Sequence, residues 1–125
     1  MRLHHVALTV INLGISIPFY ENLFGFKEAK RFRRDDMGAT GVLLQGENIM
    51  IELWQFDTSK IGTREDLSIT GLKHIAFTHD DPESLRTLFI EKGVNCDPLK
   101  EGASGGVYFF FTDPDNNQIE VYKPK

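Results

Sequence analysis

Strict alternation of apolar and polar positions marks the opening of the chain as a half-buried strand. Val6 and Leu8 point to one face, while His5, Ala7 and Thr9 point to the other. The same period of two recurs further along the chain. It predicts strands over residues 28–34, 41–44, 49–56, 94–97, 107–111 and 118–122, and over a short segment that begins near residue 74.

A helical period replaces the alternation once in each half of the chain. The first helix is expected to begin at Ser16 and to end at Gly25. Its apolar face is expected to hold Ile15, Phe19 and Leu23. This helix would therefore pack through that face on the first group of strands.

The second helix carries clearer boundary signals. Asp81 is a suitable N-cap, Pro82 fits the first helical position, and Gly93 marks the end. Its apolar face is expected to consist of Leu85, Leu88 and Phe89. Each half therefore has the same predicted order, which is one strand, one helix and three further strands.

This order predicts an α+β fold built from two βαβββ modules in a single domain, residues 1–125. Module one covers residues 1–57 and module two covers residues 71–125. The polar stretch 58–70 lacks clear periodicity and is interpreted as the connector.

Two histidines and two glutamates occupy matching places in the two halves. His5 and Glu52 lie in the first, His74 and Glu120 in the second, at nearly the same separation. Each points away from the aliphatic face of its strand. Any one of them alone would be an ordinary surface residue. If the modules pack with pseudo-twofold symmetry, however, two imidazoles and two carboxylates converge and form a divalent-metal site with two open positions.

Composition restricts the function classes. The net charge of −4 over 125 residues, without a Lys/Arg run, disfavours nucleic acid as a partner. Cys96 is the single cysteine, so no disulfide framework is expected. No apolar run approaches the ~20 residues that span a bilayer. A cytoplasmic protein without a membrane partner is the expectation.

Several segments together resemble the vicinal oxygen chelate superfamily over nearly the whole chain. They are LHHVAL at residues 3–8, FYENLFGF at 19–26, KHIAF at 73–77, DPD at 113–115 and IE at 119–120. The resemblance implies an open, cup-shaped mixed sheet around a metal ion. It also implies a homodimer whose sites often combine modules of two subunits, although the sequence leaves open whether one chain or two supply them.

Within the superfamily, the ligand set His5, Glu52, His74 and Glu120 is similar to that of glyoxalase I. The resemblance implies a lactoylglutathione lyase-like enzyme with Ni, Zn, Mn, Co or Fe(II). Such an enzyme isomerises a small substrate with adjacent oxygens through an enediolate. Glu120 would be the proton shuttle and Glu52 its partner in catalysis.

The substrate side of the resemblance is less complete. Glyoxalase I commonly has an arginine where this chain has Thr9, so the thiol cosubstrate stays open. The alternatives are another enzyme of the superfamily (a thiol transferase, an epimerase or a dioxygenase) or a protein that sequesters a small molecule, as in bleomycin resistance. The candidate substrate-binding residues are Met50, Trp54, Lys100 and Tyr122.

Overall fold

The computed structural model describes residues 1–63 and 66–125. The chain forms two compact units, Met1–Gly62 and Thr63–Lys125. Arg64 and Glu65, which belong to the predicted connector, lie outside the described residues.

The two units contain the same series of elements. The first comprises β1 (His5–Thr9), α1 (Leu13–Phe24), β2 (Lys27–Arg34), β3 (Ala39–Gln45) and β4 (Met50–Phe56). The second comprises β5 (Ile75–Thr78), α2 (Pro82–Glu91), β6 (Lys100–Glu101), β7 (Val107–Thr112) and β8 (Gln118–Lys123). The predicted α+β class and the βαβββ order are both confirmed.

Each unit has one four-stranded mixed sheet. The strand order is β1-β4-β3-β2 in the first unit and β5-β8-β7-β6 in the second. The first strand of each unit pairs in parallel with the last, and the remaining pairs are antiparallel. The parallel pair requires a crossover, and in each unit a helix lies within it.

Alternation assigns the two faces of each sheet as predicted. One face carries the core: Leu8, Val42, Ile51 and Leu53 in the first unit, and Phe109, Phe111, Ile119 and Val121 in the second, are all buried. Tyr20 of α1 and Phe89 of α2 are also buried. His5, Glu52 and Glu120 lie on the opposite faces, which leaves these side chains partly exposed for chemistry.

The start and the buried face of α1 differ from the prediction. Asn12 is the N-cap, and its side chain accepts a hydrogen bond from the Gly14 amide, so the helix begins at Leu13. Ser16 is instead a buried residue one turn inside the helix. The inner face is made by Leu13, Ser16, Ile17 and Tyr20. The predicted face is the outer one, since Ile15 is exposed and both Phe19 and Leu23 are half-buried.

A hydrogen bond also ties the start of α1 to the sheet. The amide of Leu13 donates to the side-chain oxygen of Gln55 in β4 at 2.8 Å, which ties the first turn to the core face of the sheet. The predicted end is correct, because Gly25 follows the helix with φ of 72°. A left-handed residue at this place stops a helix at low cost only when it is glycine.

The boundaries of α2 agree with the prediction. Asp81 accepts a hydrogen bond from the Ser84 amide at 3.1 Å, and Pro82 occupies the first helical position. Gly93 follows the helix with a positive φ. The face is only partly correct, since Phe89 is buried while Leu88 is exposed.

The strand predicted over residues 94–97 is wrong. This segment contributes a single isolated bridge between Cys96 and Phe111. The Arg86 guanidinium donates a hydrogen bond to the carbonyl oxygen of Asp97 at 2.6 Å. Pro98 has no amide hydrogen to donate, so strand pairing with β7 does not continue past this point. The fourth strand is β6, which pairs with β7 and ends in a tight turn over residues 102–106. Neither described helix is long and apolar enough to cross a membrane.

Candidate metal-binding site

The first predicted pair meets across the parallel strands of unit one. Ala7 of β1 is the register partner of Glu52 in β4, so His5 lies one pleat away on the same face. The His5 Nε2 and Glu52 Oε2 atoms are 4.0 Å apart. The side chains retain 38% and 15% of their exposure respectively, so both are open to a ligand.

The second pair repeats this arrangement in unit two. Ala76 of β5 is the register partner of Glu120 in β8, and His74 precedes the strand by one residue. The His74 Nε2 and Glu120 Oε2 atoms are 3.0 Å apart, with side-chain exposures of 30% and 16%. The same register offset therefore produces both His/Glu pairs.

Two neighbours orient the first pair. The Nδ1 atoms of His4 and His5 are 2.8 Å apart, and the indole Nε1 of Trp54 donates a hydrogen bond to Oε1 of Glu52. The second atoms, Nε2 of His5 and Oε2 of Glu52, face each other. Because β1 begins only at His5, strand alternation does not govern the orientation of His4.

An aromatic residue supports the second pair. The Phe110 ring lies edge-on to the His74 ring with centroids 5.2 Å apart, and Phe110 is the register partner of Glu120. Phe109 and Phe111 are buried on the core face of β7, but Phe110 is half-buried on the opposite face. Strand alternation through residues 109–111 is the sequence signal that could have placed Phe110 on the face of Glu120.

The four candidate substrate residues lie on the same faces as the pairs. Met50 and Trp54 flank Glu52 in β4, and both are half-buried. Lys100 is exposed in β6 opposite Tyr108, and Tyr108 is the partner of Tyr122 in β8. In each unit the two candidates therefore share a sheet face with the His/Glu pair of that unit, and their role in substrate binding stays a prediction.

A cavity of about 350 Å³ lies beside the first pair. Its lining is mainly apolar and consists of Ala7, Leu8, Thr9, Arg34, Met37, Trp54 and Phe56. The one charged member, Arg34, is 2.6 Å from Asp36. The hydrogen bond between them lowers the pKa of Asp36 and raises the pKa of Arg34. This pairing largely neutralises the positive charge that the cavity offers to an anion.

Nearby arginines of β2 are also paired. Arg31 bonds both carboxylate oxygens of Glu28, and its guanidinium lowers the pKa of that carboxyl. Arg33 bonds both oxygens of Asp57 and likewise lowers the pKa of Asp57. Through the register, Arg31 and Arg33 share the sheet face of Val42 and Leu53, so these exposed ion pairs lie on the face opposite to Glu52 and the cavity.

The donor atoms of each pair suit a divalent transition metal. One imidazole nitrogen and one carboxylate oxygen are ligands for ions from Mn²⁺ to Zn²⁺. Among residues 1–63 and 66–125, no group of three or more His, Cys, Asp and Glu side chains forms a complete metal-holding cluster. Each unit therefore supplies half of the predicted four-ligand set.

Comparison with known proteins identifies the relatives of this chain. Residues 2–121 match the Glyoxalase/Bleomycin resistance protein/Dioxygenase superfamily. The lactoylglutathione lyase of Neisseria meningitidis is 31% identical, with coverage of 100% of this chain and 92% of the relative. The mitochondrial methylmalonyl-CoA epimerase of Dictyostelium discoideum is 30% identical, with coverage of 96% and 75%.

A solved structure shares the fold throughout. The glyoxalase family protein from Enterococcus faecalis superposes with a TM-score of 0.89 at 24% identity, with coverage of 98% of this chain and 97% of the other. The repeated strand order of the two units and the family match over residues 2–121 both point to the same superfamily. The chain belongs to the Glyoxalase/Bleomycin resistance protein/Dioxygenase superfamily.

Proposed function

We propose that this protein is a metal-dependent lyase or isomerase of the glyoxalase type. In this proposal one divalent cation is bound by four ligands, which come from one chain or from two. They are His5, Glu52, His74 and Glu120. The observation that carries it is the duplicated His/Glu pair, with the same register offset and partial exposure in both units.

Membership of the superfamily supports the proposal at a coarser level. Its members include glyoxalase I, epimerases, dioxygenases and fosfomycin-resistance proteins, and they commonly use divalent metals. They are usually dimers that bind small substrates. We therefore propose a homodimer, which light scattering coupled to size-exclusion chromatography tests directly.

The four candidate ligands have different roles in the proposed reaction. A bound divalent ion would polarise two adjacent substrate oxygens and stabilise the negative charge that develops when the neighbouring carbon loses a proton. His5 and His74 would hold the ion through Nε2. Glu120 would take the proton from one carbon and return it to the next. Glu52, held by the Trp54 indole, would remain in place.

The test is turnover of methylglyoxal with several thiols after loading with Ni²⁺, Zn²⁺, Mn²⁺ or Co²⁺. We expect the protein, with at least one combination of metal and thiol, to convert the methylglyoxal–thiol adduct to the thioester. Glu120→Gln should lose about 10²- to 10⁴-fold in kcat, since it removes an acid–base group. Glu91→Gln, an exposed carboxylate at the end of α2, is the matched control and should keep full activity. If no combination of metal and thiol gave turnover, the glyoxalase-type reaction would be ruled out.

Epimerisation is the second candidate, favoured by the similarity to the methylmalonyl-CoA epimerase. It needs the same removal and return of a proton beside a carbonyl group. Exchange of the substrate's α-hydrogen with deuterium oxide distinguishes the two candidates. Exchange in methylmalonyl-CoA without activity on any methylglyoxal–thiol adduct would favour the epimerase. A protein without a stoichiometric ion that still binds apolar ligands would indicate sequestration instead.

A further inference from the structure

We infer that Trp54 is a positioning residue that couples an apolar substrate subsite to the Glu52 carboxylate. The inference rests on the proposed function, because it assigns Glu52 to a metal ion. It adds the class of substrate group that the site accepts beside that ligand, namely an uncharged aromatic or aliphatic substituent.

The hydrogen bond provides the first part of the argument. The Trp54 Nε1–H donates to Oε1 of Glu52, and both side chains lie on one face of β4. One carboxylate oxygen is therefore occupied, while Oε2 faces His5. A ligand held in this way by a neighbouring donor keeps a fixed orientation toward its ion.

Packing fixes the indole that makes this bond. The Phe32 ring lies edge-on to Trp54 with centroids 5.1 Å apart, and the Phe56 ring lies 6.3 Å away on the cavity side. Gly41, opposite Trp54 in β3, leaves the space that these rings need. The rotamer of Trp54 is thus held by its neighbours as well as by Glu52.

The same indole is a wall of the 350 Å³ cavity. Apart from Arg34, the groups around it are apolar or are the small hydroxyl residue Thr9. The Arg34 charge is paired with Asp36. An uncharged substituent would lose little by entering, whereas a carboxylate would find no unpaired cation there. A substrate group in this cavity contacts the side chain that orients Glu52.

In the part of the second unit that the structure describes, the corresponding aromatic side chain makes a different contact. Tyr122 occupies the place that corresponds to Trp54, two residues after Glu120, and its hydroxyl lies 3.3 Å from Ser104 Oγ in the turn that follows β6. Gly106 lies against the Tyr122 ring. The two glutamates therefore have different surroundings, with a fixed Glu52 and a Glu120 whose described ion-pair partner is His74.

Calorimetric titration with Zn²⁺ alone tests the positioning role. Trp54→Phe keeps an aromatic wall but removes the N–H, and we expect the Kd for Zn²⁺ to rise about tenfold. Tyr122→Phe removes a polar hydrogen at the matching place of unit two and should change the Kd less than twofold. Met37→Ala alters the cavity lining away from the rings that hold Trp54, so it should weaken binding of an aromatic ligand such as phenylglyoxal but leave the Kd for Zn²⁺ within twofold.

Fluorescence gives a second readout, because Trp54 is the single tryptophan of the chain. Zn²⁺ should change its emission with the same midpoint as the calorimetric titration, and Glu52→Gln should abolish that change. If the wild-type protein bound no ion, the proposed function would fail. If it bound the ion while Trp54→Phe bound equally well and the emission did not respond, this inference alone would be overturned.

Discussion

At the scale of single residues, Gly41 is the position where one added carbon would disturb the site most directly. A Cβ there would lie 2.6 Å from the Phe32 ring and 3.2 Å from the Trp54 ring. Gly41→Ala should therefore force these rings apart and lower the free energy of unfolding by about 1–3 kcal/mol, the usual effect of overpacking. Urea denaturation followed by circular dichroism measures it.

The control for this change is another glycine. Among residues 1–63 and 66–125, no atom lies within 4 Å of a Cβ added at Gly62, and its φ is not positive. Gly62→Ala should change the free energy of unfolding by less than about 0.5 kcal/mol. Equal effects of the two substitutions would show that ring packing against Gly41 is not what limits the site.

Cys96 offers a residue-scale prediction about pH. It is buried beside Phe111, and burial raises the pKa of its thiol. Because the folded protein holds this proton more tightly than the unfolded chain, rising pH through the thiol's range weakens folding. Alkylation by iodoacetamide, which needs the thiolate, should be much slower in the folded protein than in urea at the same pH. Mass spectrometry follows the reaction, and equal rates would contradict the burial.

The sequence predicted the sheet face of three of the four candidate ligands because strand alternation is a local rule. His5, Glu52 and Glu120 lie on the faces that alternation assigns to them. The bond from Trp54 to Glu52 was not predicted. It depends on the rotamers of both side chains, and those are set by Phe32 and Gly41 in neighbouring strands.

At the scale of elements, α1 shows what caps contribute. Asn12→Ala removes the acceptor of the Gly14 amide and should lower the free energy of unfolding by about 1 kcal/mol. Asn12→Asp keeps an acceptor and should lie within a few tenths of a kcal/mol of the wild type. Urea denaturation compares them. A larger loss in the aspartate variant would show that capping is not the role of Asn12.

The incorrect elements share a cause. The face of α1 was assigned from Ile15, Phe19 and Leu23, but the helix buries Leu13, Ile17 and Tyr20, and its first turn is bonded to Gln55 of β4. The strand predicted over residues 94–97 does not form, because the Arg86 guanidinium occupies the carbonyl oxygens of Cys96 and Asp97. Both corrections come from side chains distant in sequence, which a local period does not contain. The ends of both helices, marked by Gly25 and Gly93, were predicted because their backbone demands are local.

At the scale of the whole molecule, the duplication is the feature that was clearest from the sequence. Both units have the same strand order and the same parallel pairing of first and last strands. The substrate was not predicted to the same depth. In our proposal its recognition depends on the cavity beside Trp54, whose lining comes from three separate segments of the chain.

Ion binding should stabilise the whole protein by linkage. At a free concentration of about 100 times Kd, a divalent ion that binds only the folded state adds about 2.7 kcal/mol to the free energy of unfolding. The melting temperature should rise accordingly and should fall again with EDTA. A double variant, His5→Ala with His74→Ala, should show no rise. A rise of equal size in that variant would mean that the ion binds elsewhere.

The central claim is that both His/Glu pairs serve one ion, and the stoichiometry of Zn²⁺ binding in half-site variants tests it most directly. One variant carries His5→Ala and Glu52→Ala, and the other carries His74→Ala and Glu120→Ala. The account predicts one ion per wild-type chain by calorimetry and loss of tight binding in both variants. Two ions per chain, or one ion retained by either variant at wild-type affinity, would contradict it.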